Sequence, residues 1–213
     1  MRSTSTVEPR VRTAPGWARI GFWICTAIAV AVVIRRLIAL AHPTHSGAPQ
    51  LAALDRAFAS HAALTLAHIV PALAFVIVAA FFVFRPSAWS ERLLFPLGAI
   101  VGLTAYAMSA DAIGGWVERS AVLFFNTLFL FSLLRAFLYR RAGESALRRR
   151  WLLRAIVILL GIATTRPVMG IFFATSRLTH LTPNQFFGFA FWIGFSINTL
   201  AVEWWLRSRP MGE

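Results

Sequence analysis

Lysine is absent from this chain of 213 residues, cysteine occurs once, and acidic residues number only 8. The single cysteine, Cys25, excludes an intrachain disulfide and lies in an apolar run, where a buried thiol is expected. All 21 basic residues are arginine, which leaves a net charge of +13. An excess of this size suits nucleic acid or an anionic membrane surface. Because the arginines flank apolar segments, the pattern predicts membrane association and no nucleic-acid partner.

The motifs of the common enzyme classes are also missing. The chain has no glycine-rich phosphate loop, no nucleophile arrangement and no paired catalytic carboxylates. Asp111 and Glu118 flank Gly114-Gly115, but we expect an exposed turn there, whose glycines supply unusual backbone angles. These absences favour a non-enzymatic protein and assign no catalytic residue and no metal ligand.

Apolar side chains are what the sequence has in excess. They make up 58% of the chain, and the mean hydropathy is +0.69, whereas soluble domains contain about 45–50% apolar residues. Six apolar segments are long enough to cross a bilayer as helices. We therefore predict an all-α bundle of six transmembrane helices in one domain (17–207), between a disordered tail (1–16) and a short tail (208–213). The predicted spans are 17–34, 61–84, 93–110, 121–139, 151–174 and 183–206.

Local signals mark several helix boundaries. Ser90 is predicted to cap the third span, Pro167 to kink the fifth, and Thr182 to open the sixth with a capping box. Between the first two spans the sequence predicts a loop with a short amphipathic helix around residues 51–58. Residues 39–41 resemble a signal-peptidase site, but the arginine pair before them favours an uncleaved first span.

The distribution of arginine predicts the orientation of the bundle. Six spans put both termini on one side, and placing them in the cytoplasm leaves 15 of the 21 arginines inside and 6 outside. Interfacial tryptophans support this orientation, whereas the pair Arg35-Arg36 on the outer side opposes it. The predicted topology anchors, next to anionic lipid at the cytoplasmic face, are Arg148, Arg149, Arg150, Trp151 and Arg154.

Over roughly residues 61–175 the chain carries a set of motifs centred on an arginine cluster. They are His68-Ile69, Arg85, Gly114-Gly115, and Arg149-Arg150-Trp151 followed by Arg154 and Arg166. In this set the chain resembles the bacterial membrane family called domain of unknown function 2306, in which two further histidines correspond here to Glu91 and Arg148. The resemblance implies a multi-pass protein of a bacterial cytoplasmic membrane that has lost any binding through those histidines. It implies no reaction.

Four polar side chains inside the predicted spans fall at similar depth, in the outer half of the bundle. Polar groups are costly in lipid and normally face the interior, where they pair with one another or line a cavity. Two interpretations stay open for these residues: they link helices to each other, or they bind a ligand or a proton. A third interpretation applies to Arg166 alone: its side chain extends outward to the lipid headgroups. The predicted polar pocket consists of His68, Asp111, Asn126 and Arg166.

Within this pocket we expect Arg166 to be neutralised by Asp111. An arginine keeps its charge in the membrane and therefore needs an acceptor, and Asp111 is the carboxylate at the outer end of the third span. The proline after Arg166 would free the carbonyl of Ala163, and the hydroxyls of Thr164 and Thr165 would complete the shell. The pairing requires the third and fifth spans to be neighbours.

Three functions fit these residues. The first is a non-enzymatic protein that binds or passes a small lipophilic or protonatable ligand in the polar pocket. The second is a haem- or quinone-linked redox protein, in which His68 and Met169 would be the axial ligands of a haem. The third is a structural partner of another membrane protein or of a second copy of this chain.

The predicted orientation can be tested with alkaline phosphatase fusions, because that enzyme is active only outside the cytoplasm. We expect fusions after Glu213, or between Gly143 and Leu147, to be inactive, and an insertion near Ser46 to be active. Green fluorescent protein at the same positions should give the opposite pattern and controls for expression. Active phosphatase at both of the first two positions would contradict the arginine count.

Overall fold

A computed structural model describes residues 16–42, 55–56 and 58–208. These residues are helical apart from short connections, and no strand occurs among them. Six helical segments are long and apolar enough to cross a membrane, which confirms the predicted all-α bundle of six spans. The helices are α1 (Gly16–Ala41), α2 (Ala62–Phe84), α3 (Ala88–Met108), α4 (Gly115–Arg141), α5 (Ser145–Leu159), α6 (Gly161–Thr179) and α7 (Pro183–Arg207), with a 3₁₀ turn at Ser109–Asp111.

The spans form a ring. Neighbours pack in the order α1, α2, α3, α4 and α7, and α6 closes the ring by contacting both α7 and α1. α5 lies against α4 and α7, and together with α6 it makes the fifth span. We call the end where α1 begins and α7 ends the Arg148 end, and the opposite one the Asp111 end. α1 is the most loosely packed helix, since its buried residues are Thr26 and Ala29.

Two glycines allow α3 to pack closely against α4. Gly98 and Gly102 lie one helical turn apart on the same face, a spacing that brings the backbones of membrane helices together. A methyl group at Gly102 would lie 2.4 Å from Leu130 Cδ2, and one at Gly98 would lie 2.8 Å from Leu133 Cδ2. Any larger residue at either position would therefore push α3 away from α4.

Both ends of α1 extend beyond the predicted span. Gly16, predicted to belong to the tail, is the first residue of the helix, and the pair Arg35-Arg36, which follows the end of the predicted span, is helical as well. The helix continues past the pair because both guanidinium groups bond to Asp55, at 3.0 Å for Arg35 Nη2 and 2.5 Å for Arg36 Nη1. Residues 1–15 and 209–213 of the predicted tails, and residues 51–54 and 57 of the predicted amphipathic helix, lie outside the described residues.

The predicted cap of α3 is wrong by one turn. Ser87 is the N-cap, and its Oγ accepts from Ser90 N at 3.4 Å while Ser90 Oγ accepts from Ser87 N at 3.3 Å. This reciprocal box starts the helix directly after Pro86. The box predicted for the sixth span is confirmed, because Thr182 N donates to Gln185 Oε1 at 2.9 Å.

The fifth span is interrupted at Leu160, ahead of the predicted kink at Pro167, which lies inside α6. Packing accounts for the position of the interruption. Gly161 lies against α7 so closely that a methyl group there would be 2.6 Å from Phe195 Cδ1. The interruption therefore lies next to a point where α7 comes close to the backbone of the fifth span.

Asn198 of α7 connects the two helices on either side of this interruption. Its Nδ2 donates to the carbonyl of Val157 at 3.0 Å, and its Oδ1 accepts from Thr164 Oγ1 at 2.6 Å. Asn198 is 7% exposed, so water competes little for these bonds. One buried amide thus fixes the first turns of α6 relative to α5.

We expect Asn198→Ala and Thr164→Val each to destabilise the bundle, because a hydrogen bond between membrane helices is worth about 0.6 to 1.7 kcal/mol. The double mutant should cost clearly less than the sum, since both changes remove the same bond. Unfolding of the purified protein by sodium dodecyl sulfate in mixed micelles gives the free energies. The control is Thr175→Val, whose hydroxyl donates to Ile171 O of its own helix at 2.9 Å. Strict additivity of Asn198→Ala and Thr164→Val would contradict the assigned bond.

Candidate functional site

A cavity of about 270 Å³ lies inside the ring, and α1 to α4, the fifth span and α7 all contribute to its wall. The four residues of the predicted polar pocket line this one space: His68, Asp111, Asn126 and Arg166. Five further polar residues line it as well, namely Arg36, His61, Thr65, Ser109 and Glu118. The structure therefore brings the predicted residues together, although it does not test whether they bind a ligand.

One face of α2 shows how the sequence builds the wall. Cavity-lining residues recur along it at intervals of three and four, so they form a single stripe. From the Asp111 end the stripe runs His61, Leu64, Thr65, His68, Ile69, Ala72, Leu73 and Val76. Polar side chains thus come first and apolar ones follow, over roughly 22 Å at helical rise. On α4, Glu118 lies near the start and Val122, Phe125 and Phe129 follow, with Asn126 as the one polar side chain among them.

The cavity therefore has two parts. We call the polar part the region around Arg36, His61, Asp111, Glu118 and Arg166, towards the Asp111 end. The apolar part extends towards the middle of the bundle and is bounded by Leu73, Val76, Phe129, Ile158 and Phe195.

Arg166 has few partners for its guanidinium group. Its Nη1 donates to Met169 Sδ at 3.7 Å, and sulfur is a weak acceptor. Its Nε is buried without a hydrogen-bond partner among the described residues, and none of the described acids forms an ion pair with it. Most of the donors of this cation are thus left for whatever occupies the cavity.

The expected pair between Arg166 and Asp111 is not formed. Asp111 Oδ2 instead lies 3.8 Å from His61 Nε2, with both side chains more than half exposed. The reason is the helix arrangement, because α3 packs chiefly against α2 and α4 while α6 packs against α1 and α7. The two threonines expected to help are also committed elsewhere: Thr164 bonds to Asn198, and Thr165 Oγ1 donates to the carbonyl of Ile162 at 2.6 Å.

His68 and Asn126 line the cavity and also link helices. His68 Nδ1 lies 2.9 Å from Thr104 Oγ1, whose own hydrogen is within reach of the carbonyl of Ile100 at 2.7 Å. The threonine oxygen is then the acceptor, and His68 donates. Asn126 Nδ2 donates to the carbonyl of Gly102 at 2.9 Å. Both residues therefore attach the wall to α3, as the structural interpretation of the sequence requires.

Glu118 is a cavity residue that sequence reasoning missed. We expected it to be exposed, yet it is only 9% exposed, and its Oε2 accepts from the backbone N–H of Gly114 at 2.6 Å. The difference arises because α4 begins at Gly115 and not at residue 121, so Glu118 falls in the first turn. A carboxylate there is stabilised by unpaired backbone N–H groups. The acid shortly after two glycines was the signal that could have revealed it.

Arg36 is the second missed residue of the polar part. Its guanidinium bonds to Asp55 and lies 3.9 Å from the centre of the Phe58 ring. Unlike Arg166 it already has a carboxylate partner. The sequence could not show this, because the pairing depends on where Asp55 lies relative to α1.

The haem hypothesis assigned one axial ligand each to His68 and Met169. Met169 is 4% exposed and packs with Phe186, Phe187 and Ala190, away from the cavity wall that His68 lines. The cavity is lined by His68 but not by Met169, so it does not bring the two proposed ligands together. The described part of the chain also contains no group of three histidine, cysteine or acidic side chains placed to hold a metal ion.

The predicted topology anchors lie at the opposite end and differ from one another. Arg148 Nε is 3.3 Å from Glu91 Oε1, and Arg150 Nη2 donates to the carbonyl of Leu206 at 2.6 Å. Arg154 forms a two-point contact with Glu203, at 2.5 and 3.2 Å, and stacks on Trp151 at 4.5 Å. Arg149 is exposed. Three of these arginines therefore also join helices, and their role as topology anchors stays a prediction.

The chain matches no family model, no curated protein and no solved structure. The resemblance to domain of unknown function 2306 therefore stays a prediction.

We now expect Arg166→Gln and Asp111→Asn to act independently, because the two side chains are not paired. Their effects on the free energy of unfolding should add within about 0.5 kcal/mol. The matched control is Arg154→Gln with Glu203→Gln, a pair in two-point contact that should be clearly non-additive. A coupling between Arg166 and Asp111 as large as the one in the control would restore the original expectation.

Proposed function

We propose that this chain is a non-enzymatic, multi-pass protein of a bacterial cytoplasmic membrane that binds or passes a small lipophilic ligand in its interior cavity. The observation that carries the proposal is the cavity, a space inside the ring with a polar part and an apolar part. Membrane helices associate largely through van der Waals packing, and a void forfeits those contacts. A bundle with a purely structural role gains nothing from keeping this space open.

The dimensions of the cavity restrict the ligand. At about 270 Å³ it is close to the lower end of ordinary ligand sites, which span about 300–1,000 Å³. A molecule with one hydrocarbon chain or a small ring system suits this space better than a lipid with two chains. The gradient along α2 and α4 favours a ligand that is polar at one end.

The orientation and the setting belong to the same proposal. The arginine excess supports a cytoplasmic location for the Arg148 end, where exposed Arg149 is available to anionic lipid. The resemblance to domain of unknown function 2306 supports a bacterial inner-membrane setting. The cavity would then receive its ligand from the outer half of the bilayer.

Photolabelling of the protein in phosphatidylcholine nanodiscs tests the binding site. The probe is dodecanol with a diazirine in its chain, and mass spectrometry locates the labelled residues. We expect adducts on the apolar part of the cavity, and we expect Ala72→Phe to reduce them several-fold by filling that space. Ala72 is suitable because it lies on the cavity stripe of α2.

The control is Val70→Phe, which adds a ring on the same helix at a position that is 51% exposed and outside the cavity wall. It should leave the cavity adducts unchanged. Labelling confined to the outer faces of the helices, or cavity labelling that Ala72→Phe does not reduce, would refute the proposed function.

A further inference from the structure

Arg166 is the cation of the cavity whose charge is least compensated by the residues around it. Its guanidinium group keeps its proton at any physiological pH and presents a planar fork of N–H donors. Apart from the sulfur of Met169, these donors lack a hydrogen-bonded acceptor in the part of the chain that the structure describes. This half-buried cation, whose Nε is fully buried, therefore has donors available for oxygen atoms from outside the chain.

The acceptors near Arg166 have their own partners. Glu118 is close enough to attract Arg166 through space, but its carboxylate bonds to Gly114 N and forms no ion pair with Arg166. Asp111 is beside His61, and Asp55 is bonded to Arg35 and Arg36. The carboxylates around the polar part therefore contact groups other than Arg166. The guanidinium group of Arg166 lines the cavity without an ion pair from the described residues.

On its own span the cavity wall below Arg166 is apolar, and it continues through Ala163 and Ile162 to Leu159 and Ile158. The polar side chains His68 and Asn126, on α2 and α4, are bonded to α3. A ligand whose oxygen atoms contact Arg166 must therefore direct the rest of its structure along hydrocarbon. The small volume leaves room for one chain.

We propose that Arg166 binds the anionic head group of a single-chain amphiphile whose hydrocarbon chain occupies the apolar part of the cavity. Two coplanar or adjacent oxygen atoms match the guanidinium fork, so the head group is a carboxylate or a phosphate monoester. Arg36, already bonded to Asp55, lies at the edge of the same space and adds positive potential there. This inference rests on the proposed function and names the chemical class of its ligand.

The test uses four probes with the same diazirine-bearing chain and different head groups: dodecanoic acid, dodecyl phosphate, dodecanol and dodecylamine. Labelling of the cavity in nanodiscs is compared between the unmodified protein and Arg166→Gln. We expect Arg166→Gln to weaken labelling by at least one anionic probe by about tenfold or more, which corresponds to ~1.4 kcal/mol. Labelling by dodecanol should change less than twofold. Whether the acid or the phosphate loses more identifies the head group.

Two further variants separate recognition from folding. Arg166→Lys keeps the charge and should retain a preference for the anionic probes over dodecanol. Arg135→Gln is the matched control, because Arg135 is another arginine within a span with a buried, unpartnered Nε. Its Nη2 donates to Tyr139 Oη at 2.6 Å, and it does not line the cavity. Arg135→Gln should leave the labelling of the cavity by all four probes unchanged.

The outcomes distinguish this inference from the proposed function. If all probes label the cavity equally, and Arg166→Gln changes none of them while Ala72→Phe blocks them, the ligand site stands and anion recognition fails. A preference for dodecylamine would equally overturn the inference. If no probe labels the cavity in the unmodified protein, both fall together. Should Arg166→Gln not fold, the unmodified protein decides: labelling by the anionic probes no stronger than labelling by dodecanol would overturn the inference, and a clear preference for an anionic probe would support it.

Discussion

Hydrocarbon offers no hydrogen-bond partner, and this constraint governs every polar group inside the bundle. Backbone groups are satisfied within each helix, so polar side chains must bond to a carbonyl of their own helix, as Thr165 and Thr175 do, or to an acceptor on a neighbouring helix. Asn126 and Asn198 do so by donating to the carbonyls of Gly102 and Val157. Each of these bonds also fixes one helix against the next. The polar residues of this chain therefore determine helix neighbours more specifically than its apolar residues, which pack equally well against lipid.

These hydrogen bonds fix the spacing between neighbouring helices, and the cavity is a consequence of that spacing. The wall contains small side chains, among them Ala29, Ala72, Ala105 and Ala163, that cannot fill the centre of the ring. Collapse would require α2 and α4 to leave α3, to which His68 and Asn126 attach them, or α6 to leave α7. The space is thus a consequence of fixed neighbours around small residues.

Local information in the sequence was sufficient for the six spans, because hydropathy depends only on the residues of each span. It also placed His68, Asp111, Asn126 and Arg166 on a common wall, since the cost of polar groups in lipid turns each of them inward. The partner of Arg166 could not be predicted, because a pairing depends on which spans are neighbours. Glu118 was missed for a related reason: a shift in the start of α4 moved it from a surface turn into the cavity wall.

The arginines at the Arg148 end of the bundle differ from Arg166 in their partners. At the Arg148 end, Glu91 contacts both Arg140 and Arg148, and Arg154 is matched to Glu203 in two-point geometry. Such pairs offset part of their desolvation, because opposite charges are in direct contact. Arg166 lies inside a span, where an arginine without an ion pair is costly, yet its neighbours bond elsewhere. Glu118, the carboxylate that attracts Arg166 through space, is bonded to a backbone N–H, and the proposed anionic ligand rests on the open guanidinium that this arrangement leaves.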